Sequence, residues 1–258
     1  MPDSFYTELG DGRFASSPWT TGPWDAGAQH GGPPSALLAR AVERYRPRPD
    51  MLVGRVTVEI LRPVPVAEVV VDVELLRPGR SVEMVGASLT AAGQVVARAT
   101  AWRVVRTEAH TVPDRHRPPP PLPGTGGFTP PEGWIDGYLS AVEWRDAQGG
   151  FLQPGPATTW TRLRHPLVEG EEPSGLQRVM AVADSGNGIS GEMDLRRWMF
   201  INPELTVHLH REPEGEWVCL DASTAISRGG VGLATSVLSD LAGPVGVGAQ
   251  SLLVTPRG

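Results

Sequence analysis

The chain has 258 residues, 40% of them apolar, and a formal net charge of −6. That length and apolar content allow one large domain or two small ones around a sizeable core. The acidic balance argues against a nucleic-acid partner, which calls for a basic face, and the single cysteine, Cys219, excludes an intrachain disulfide and a thiolate metal cluster.

In chain order, Met1-Pro2-Asp3-Ser4 lacks the charged and apolar regions of a signal peptide. No run of about 18 apolar residues follows that could span a membrane. The expectation is a cytoplasmic protein without a membrane partner. At His30-Gly31-Gly32 a helical segment opens and runs from Pro33 to Arg44. Paired prolines suit a first helical turn, whose N–H groups have no intrahelical acceptor. Ala36, Leu37, Leu38, Ala41 and Val42 make most of its faces apolar, so the helix should be buried. Valine-rich runs at Val56–Leu61, Val69–Leu76, Val82–Leu89 and Val95–Val105 read as antiparallel strands. Turns at Arg77-Pro78-Gly79-Arg80 and Ala91-Ala92-Gly93-Gln94 separate them, with proline presetting φ and glycine tolerating φ > 0.

Residues 106–133 carry Pro118-Pro119-Pro120-Pro121 and Pro130-Pro131 and predict a stiff, extended crossover. His110, His116 and His165 lie in polar, proline-rich surroundings and are expected at the surface. Beyond the crossover, Ala183-Asp184-Ser185-Gly186 reads as the start of a second buried helix. Strands are expected at Leu205–His210, Trp217–Ala225, Gly232–Leu238 and Val245–Val254. Cys219, inside Trp217-Val218-Cys219-Leu220, reads as a buried structural thiol. His208 and His210 share one strand face but have no further ligand nearby, so no metal site is expected.

The two halves repeat. Thr57-Val58-Glu59-Ile60-Leu61-Arg62 matches Thr206-Val207-His208-Leu209-His210-Arg211 at an offset of 206 − 57 = 149, and Gly93 and Ala99 match Gly243 and Ala249 at an offset of 150. A buried helix followed by about four antiparallel strands, twice, gives an α+β fold of the double-hotdog type. The expected division is an N-terminal repeat at 1–105, a Pro/Gly-rich linker at 106–133 and a C-terminal repeat at 134–258.

Four stretches in this order carry a family likeness. They are His30-Gly31-Gly32, Leu61-Arg62-Pro63 with Val71 to Ser81, Ala183-Asp184-Ser185-Gly186, and Leu205 to Pro213 with Gly215-Glu216-Trp217. Together they span about residues 19–105 and 175–256, and the chain resembles the type II acyl-CoA thioesterases. The resemblance implies hydrolysis of an acyl thioester carried on coenzyme A or an acyl-carrier protein, with no cofactor and no metal. It also implies three site residues. Asp184 matches an aspartate at the second helix and Gln250 a glutamine on the last strand. Asn202 falls where the family often has threonine or serine. Asparagine departs from that pattern but keeps both a donor and an acceptor.

Hydrolysis needs a positioned water, a base and donors for the developing oxyanion. The chain has no G-x-S-x-G nucleophile elbow and no Walker A phosphate loop. Asp184 would deprotonate a water held by Asn202 and Gln250. Backbone amides at helix starts, at Gly31 and Gly32 or at Ser185 and Gly186, would serve the oxyanion. Each residue has a plainer role open to it: Asp184 as an N-cap, Gln250 as a solvent-side strand residue, Asn202 before Pro203 as a turn residue. His30 could polarise the thioester or act as a base, or simply pack. Arg62, Arg77, Arg80 and Arg211 are either contacts for coenzyme A phosphates or solvated strand-end charges. A hydratase or dehydratase on the same fold and a non-catalytic acyl-ligand binding protein are the alternatives. The D-x-N-x-x-H pattern of hotdog hydratases is absent around Asp184. Free edge strands make further homo-oligomerisation an expectation, and an acyl tunnel is expected between the helices.

Overall fold

The computed structural model describes residues 3–107, 117–124, 128, 130, 134, 136–194 and 197–257. His110, His116 and most of the linker expected at 106–133 lie outside the described residues.

The chain opens with a hairpin, β1 (Tyr6–Gly10) and β2 (Arg13–Ser16), and then enters α1 (Gly32–Arg44). Four strands follow: β3 (Met51–Ile60), β4 (Glu68–Arg77), β5 (Val82–Ala91) and β6 (Gln94–Val105). After the proline-rich stretch come a single turn, α2 (Tyr138–Ala141), and the hairpin β7 (Val142–Gly150) and β8 (Gln153–Leu163). The helix α3 (Gly175–Ala183) and the turn α4 (Gly186–Ile189) precede β9 (Trp198–Ile201), β10 (Glu204–Leu209), β11 (Val218–Ile226), β12 (Val231–Asp240) and β13 (Gly243–Pro256).

One antiparallel sheet runs β1-β2-β4-β5-β6-β3-β10-β13-β12-β11-β8-β7, with β9 added alongside β13. Its centre is the β3–β10 pair, where the internal repeat takes physical form. Thr57 and Thr206, equivalent at the offset of 149, lie directly opposite one another and their hydroxyls are 3.1 Å apart. The match of Ala99 to Ala249 is one residue out of register. Thr57 pairs with Thr100 and Thr206 with Ala249, which makes Thr100 the counterpart of Ala249. From Gly93 to Thr100 is seven residues and from Gly243 to Ala249 only six, so the turns align at 150 and the strands at 149.

Inward-facing residues of every strand except β9 reach one apolar core that includes both halves of the chain, while Phe200 of β9 packs in a small separate cluster with Ala234, Leu252 and Val254. Against it lie α1 and α3, antiparallel to each other. Glu43, near the end of α1, accepts from Gln177 Nε2 at 2.7 Å and from Ser174 Oγ at 2.8 Å at the start of α3. Ala181, at the other end of α3, is against Gly32. Because α1 is apolar on most of its faces, ten of its residues are buried, Arg40 among them.

The second helix differs from the sequence expectation: Ala183-Asp184 ends it. Ser174 caps the start, accepting from the Gln177 amide at 3.1 Å. The run Leu176 to Ala183 continues without a breaker until Asp184-Ser185-Gly186-Asn187-Gly188, where glycine and short polar side chains compete with the helix. The strands β1, β2, β7, β8 and β9 had no clear signal. β8 begins Gln153-Pro154-Gly155-Pro156, and proline inside a run demotes it as a strand.

Candidate active site

Two helix ends and two strands meet at Asp184. The aspartate sits at the C-terminus of α3 and is 4% exposed. Gln250 projects inward from the middle of β13 and is 2% exposed, whereas its neighbour Ser251 is exposed, as strand alternation requires. Asn202 occupies the turn between β9 and β10. His30 leads into α1, its backbone N–H donating to Thr20 O at 2.8 Å.

The three residues singled out in the sequence converge. Asn202 Nδ2 donates to Asp184 Oδ1 at 2.7 Å, and Gln250 Nε2 lies 3.3 Å from the same oxygen. Gln250 Nε2 also donates to the Asp184 backbone carbonyl at 3.1 Å, and its Oε1 accepts from the Asn187 amide at 3.2 Å. Both ends of the Gln250 amide are therefore committed to holding the α3–α4 junction. Asn202 donates its other N–H to Glu204 O at 3.3 Å, and its Oδ1 accepts no hydrogen bond among the described residues.

The second carboxylate oxygen, Oδ2, looks toward α1. It lies 3.3 Å from His30 Nδ1, and a methyl placed on Gly31 would come within 2.7 Å of it. Glycine at 31 is what lets the helix start come this close. At Gly32 a methyl would overlap the Ala181 carbonyl oxygen, so this glycine sets the approach of the two helices. Asp184 sits at the negative end of α3, and the positive end of α1 against Oδ2 offsets that unfavourable placement.

His30 is stacked on Tyr138, with centroids 3.8 Å apart and planes 9° from parallel. Tyr138 is fixed in turn by its hydroxyl, which donates to Ala181 O at 2.9 Å and lies 2.9 Å from Ser185 Oγ. Burial pushes the Tyr138 phenol up, so it stays protonated, and burial pushes His30 below its ordinary value despite the nearby Asp184 charge. His30 is thus a neutral imidazole at neutral pH. Its Nδ1 accepts from the Gly32 amide at 3.0 Å, which places its proton on Nε2. Tyr138, on the single turn α2, is the site residue that sequence reading missed. A lone Gly-Tyr beside a proline-rich stretch carries no signal for it.

Several expectations change. Asp184 is at a helix C-terminus and is not an N-cap. Of the amides expected to serve an oxyanion, Gly32 N–H is taken by His30 and Ser185 N–H by Val182 O at 2.9 Å. Gly186 is buried against Ser236 and Gln250, which leaves the amide of Gly31, the residue whose α-carbon faces Asp184. Arg211 is committed to Asp240 by two contacts of 2.6 and 2.5 Å, and Arg77 lies over the Trp102 ring, 5.6 Å from its centroid. Burial pushes the Cys219 thiol up to about 12, as suits a structural cysteine. Among the described residues no group of three or more His, Cys, Asp or Glu is placed to hold a metal.

Two cavities open beside the helices. One, of about 370 Å³, is lined by Phe14, Arg40 and Val73, and a smaller one opens beside Glu43, Arg103 and Leu176. Neither touches Asp184. Beside His30 the space is taken by an aromatic file: Tyr138 meets Trp144 edge-on, Trp144 meets Phe151, and Phe151 meets Phe128 at 4.7 Å. Phe151 also lies against Gly188, four residues past Asp184.

Comparison with known proteins places this arrangement in context. Residues 20–104 match the model of the acyl-CoA thioesterase N-terminal domain, and residues 113–254 that of the acyl-CoA thioesterase C-terminal domain. No curated protein is similar enough in sequence to count as a relative. A hotdog-fold protein of unknown function from Alicyclobacillus acidocaldarius superposes with a TM-score of 0.75 at 16% identity, over 97% of this chain and 95% of that one. A protein described as a thioesterase II from Thermobifida fusca gives 0.73 at 17% identity, over 99% and 98%. One described as a thioesterase from Novosphingobium aromaticivorans gives 0.71 at 20%, over 96% and 98%. At such identities these structures establish the double-hotdog fold. Among the described residues no helix is long and apolar enough to cross a membrane.

Proposed function

The chain belongs to the acyl-CoA thioesterase family, and from that premise we propose that Asp184 is the base that activates water against the thioester carbonyl. The reaction is hydrolysis of an acyl thioester: water adds to the carbonyl carbon, the carbon–sulfur bond breaks, and a free acid and a thiol leave. The observation that carries the reading is the convergence on one buried carboxylate of side chains from β13 and the β9–β10 turn.

In this reading each group has one task. Asp184 takes a proton from the attacking water. Asn202, whose Nδ2 is bound to Asp184, offers Oδ1 to the second water proton and fixes its direction of attack. Gln250 is a positioning residue, since both ends of its amide are already engaged. The Gly31 amide, at the positive end of α1, donates to the oxyanion as the tetrahedral centre forms. His30, neutral and locked on Tyr138, walls the site, and the proton that Asp184 takes from water passes on to the departing sulfur. One repeat, 1–105, supplies His30 and Gly31, and the other, 134–258, supplies Asp184, Asn202 and Gln250, with 106–133 joining them. We extend the reading to a cytoplasmic enzyme of fatty-acid metabolism acting on acyl-CoA, with acyl-carrier thioesters as the comparison substrates.

Single-turnover hydrolysis of an acyl-CoA in ¹⁸O-water tests the role of Asp184. If it activates water, the label appears in the released acid on the first turnover. If Asp184 itself attacks the carbonyl, the label appears instead in the peptide that contains Asp184, and the proposal fails.

A further inference from the structure

Inside the second repeat a polar band divides the apolar interior. Thr224 on β11, Ser236 on β12 and Gln250 on β13 are all buried on the inward face. To one side, Ala222 and Leu238 belong to the main core; to the other, Ala234, Leu252 and Phe200 form the separate cluster. The first repeat shows what the architecture itself needs at these places. At the offset of 149 that sets Thr57 opposite Thr206, the three positions are Leu75, Ala87 and Ala101, all in or against the main core. The pairings agree with that register. Ser236 faces Gly248 as Ala87 faces Ala99, and Thr224 faces Ala234 as Leu75 faces Val85. Apolar side chains satisfy the fold there, and the second repeat departs from them beside Asp184.

Part of the band is paired within itself. Ser190 Oγ donates to Gly186 O at 2.8 Å and lies 2.8 Å from Thr224 Oγ1. Two other groups have no such partner. The Ser236 hydroxyl and the side-chain amide of Asn187, in residues 5% and 8% exposed, make no hydrogen bond among the described residues. The one fully enclosed side-chain polar atom without a partner among those residues is Arg55 Nε, so the Ser236 and Asn187 groups border accessible space. Buried polar groups are costly to leave unpaired, and a hydrogen-bonding occupant is expected beside them. Both residues adjoin Gln250. Its Oε1 accepts from the Asn187 amide at 3.2 Å, and Ser236 Oγ and Gln250 Oε1 lie 2.6 and 3.3 Å from the same point, that of a methyl on Gly186.

We propose that Ser236 and Asn187 read an oxygen on the acyl group, a hydroxyl or keto oxygen on the carbons next to the thioester. The substrate class is then oxygenated acyl thioesters in preference to plain ones. A hydroxyl can donate to Asn187 Oδ1 and accept from Ser236, and a keto oxygen can accept from either. A hydrocarbon chain leaves both unpaired. The two groups are neutral and stand near the buried Asp184 carboxylate, which disfavours an acyl group carrying its own carboxylate at this point. The inference rests on the hydrolase reading for the identity of the ligand as an acyl thioester.

Paired CoA thioethers, which cannot be hydrolysed, separate the two readings. Titration calorimetry compares β-hydroxyoctyl-CoA with octyl-CoA, and thiol release compares the matching β-hydroxyoctanoyl and octanoyl thioesters. The parent should favour the hydroxy member about tenfold in both, the worth of a typical hydrogen bond. Ser236→Ala installs the residue that the first repeat carries at Ala87, so it should fold as the parent does, keep turnover of octanoyl-CoA and lose most of the preference. Asn187→Ala should also lose it and serves if the first variant fails to fold. Equal binding of the two thioethers by the parent, or no binding of either, overturns the inference, as does an undiminished preference in the folded variants. A binding preference that Ser236→Ala abolishes, with no turnover of either thioester, supports the inference and sinks the hydrolase reading alone.

Discussion

Substituting alanine at Gly31 and, separately, at Gly32 separates site geometry from fold stability. At Gly31 the added methyl meets Asp184 Oδ2 at 2.7 Å and Cγ at 2.9 Å, against an ordinary contact that begins near 3.4 Å. The carboxylate must retreat by about 3.4 − 2.7 = 0.7 Å. That movement works against the 2.7 Å bond from Asn202 and the contact from Gln250. Gly31 has φ −64° and ψ −19°, so alanine adopts its backbone without strain and gains roughly 0.5–1 kcal/mol from the unfolded state. Displacements approaching 1 Å at a reacting group cost about 10²-fold in rate. Gly31→Ala should therefore lose on the order of 10² in kcat/KM for thiol release while its Tm moves by only a few degrees. At Gly32 the methyl meets a backbone carbonyl that cannot swing aside, and Gly32→Ala should lose several kcal/mol of stability. Thiol release from an acyl-CoA and thermal melts read both effects. Full turnover in Gly31→Ala, or equal destabilisation by the two changes, would refute the reasoning.

Four further variants test contacts at the site and at the far end of α1. Gln250→Ala leaves the Asn187 amide unpaired and frees the Asp184 main chain, so it should cost about 1–3 kcal/mol in urea melts as well as turnover; Asn202→Ala, in a half-exposed turn, should lose turnover with little change in melting. His30 is held below its ordinary value of 6.5, chiefly by burial, so turnover should fall only as the pH drops below that value, when a protonated Nδ1 turns to Asp184 and occupies the base; in pH-rate profiles His30→Gln should remove this limb. Because the folded state binds the proton less well than the unfolded chain, His30 contributes stability above pH 6.5 that is lost as the pH falls through its folded value. Glu171 is held at about 2, first by its hydrogen bonds from Arg40 and then by Arg44, so its contribution is complete above its usual 4.5 and disappears as the pH falls toward 2. Denaturant melts at the two ends of that window should differ by on the order of 2 kcal/mol more in the parent than in Glu171→Gln, and equal differences would disprove this role.

Much of this architecture was legible because it is periodic. Valine-rich runs, their glycine turns and the 149-residue offset all reflect one physical fact, that each repeat lays the same strands against a buried helix. The pairing of Thr57 with Thr206 is that repeat seen in space. What escaped was carried by segments without period. β7 and β8 contain Pro154, Pro156 and a polar Arg145-Asp146-Ala147-Gln148 run, and they are strands because neighbours pair with them. The end of α3 was misread because Asp184-Ser185-Gly186 fits a helix start as well as a helix stop. Asp184, Asn202 and Gln250 were found through resemblance; the spacing of 18 and 48 residues between them says nothing of contact. Tyr138 and the split duty of the glycine amides depend on which donor reaches which acceptor, and only the assembled site decides that.

Replacement of Asp184 by asparagine is the most direct measurement. Asn at 184 can still accept from Asn202 and Gln250, so packing is kept while the base is lost. The account predicts a melting temperature within a few degrees of the parent and kcat for acyl-CoA hydrolysis lowered by about 10²–10⁴, the range for removing a general base. A folded Asp184→Asn protein that releases thiol within twofold of the parent rate would contradict it.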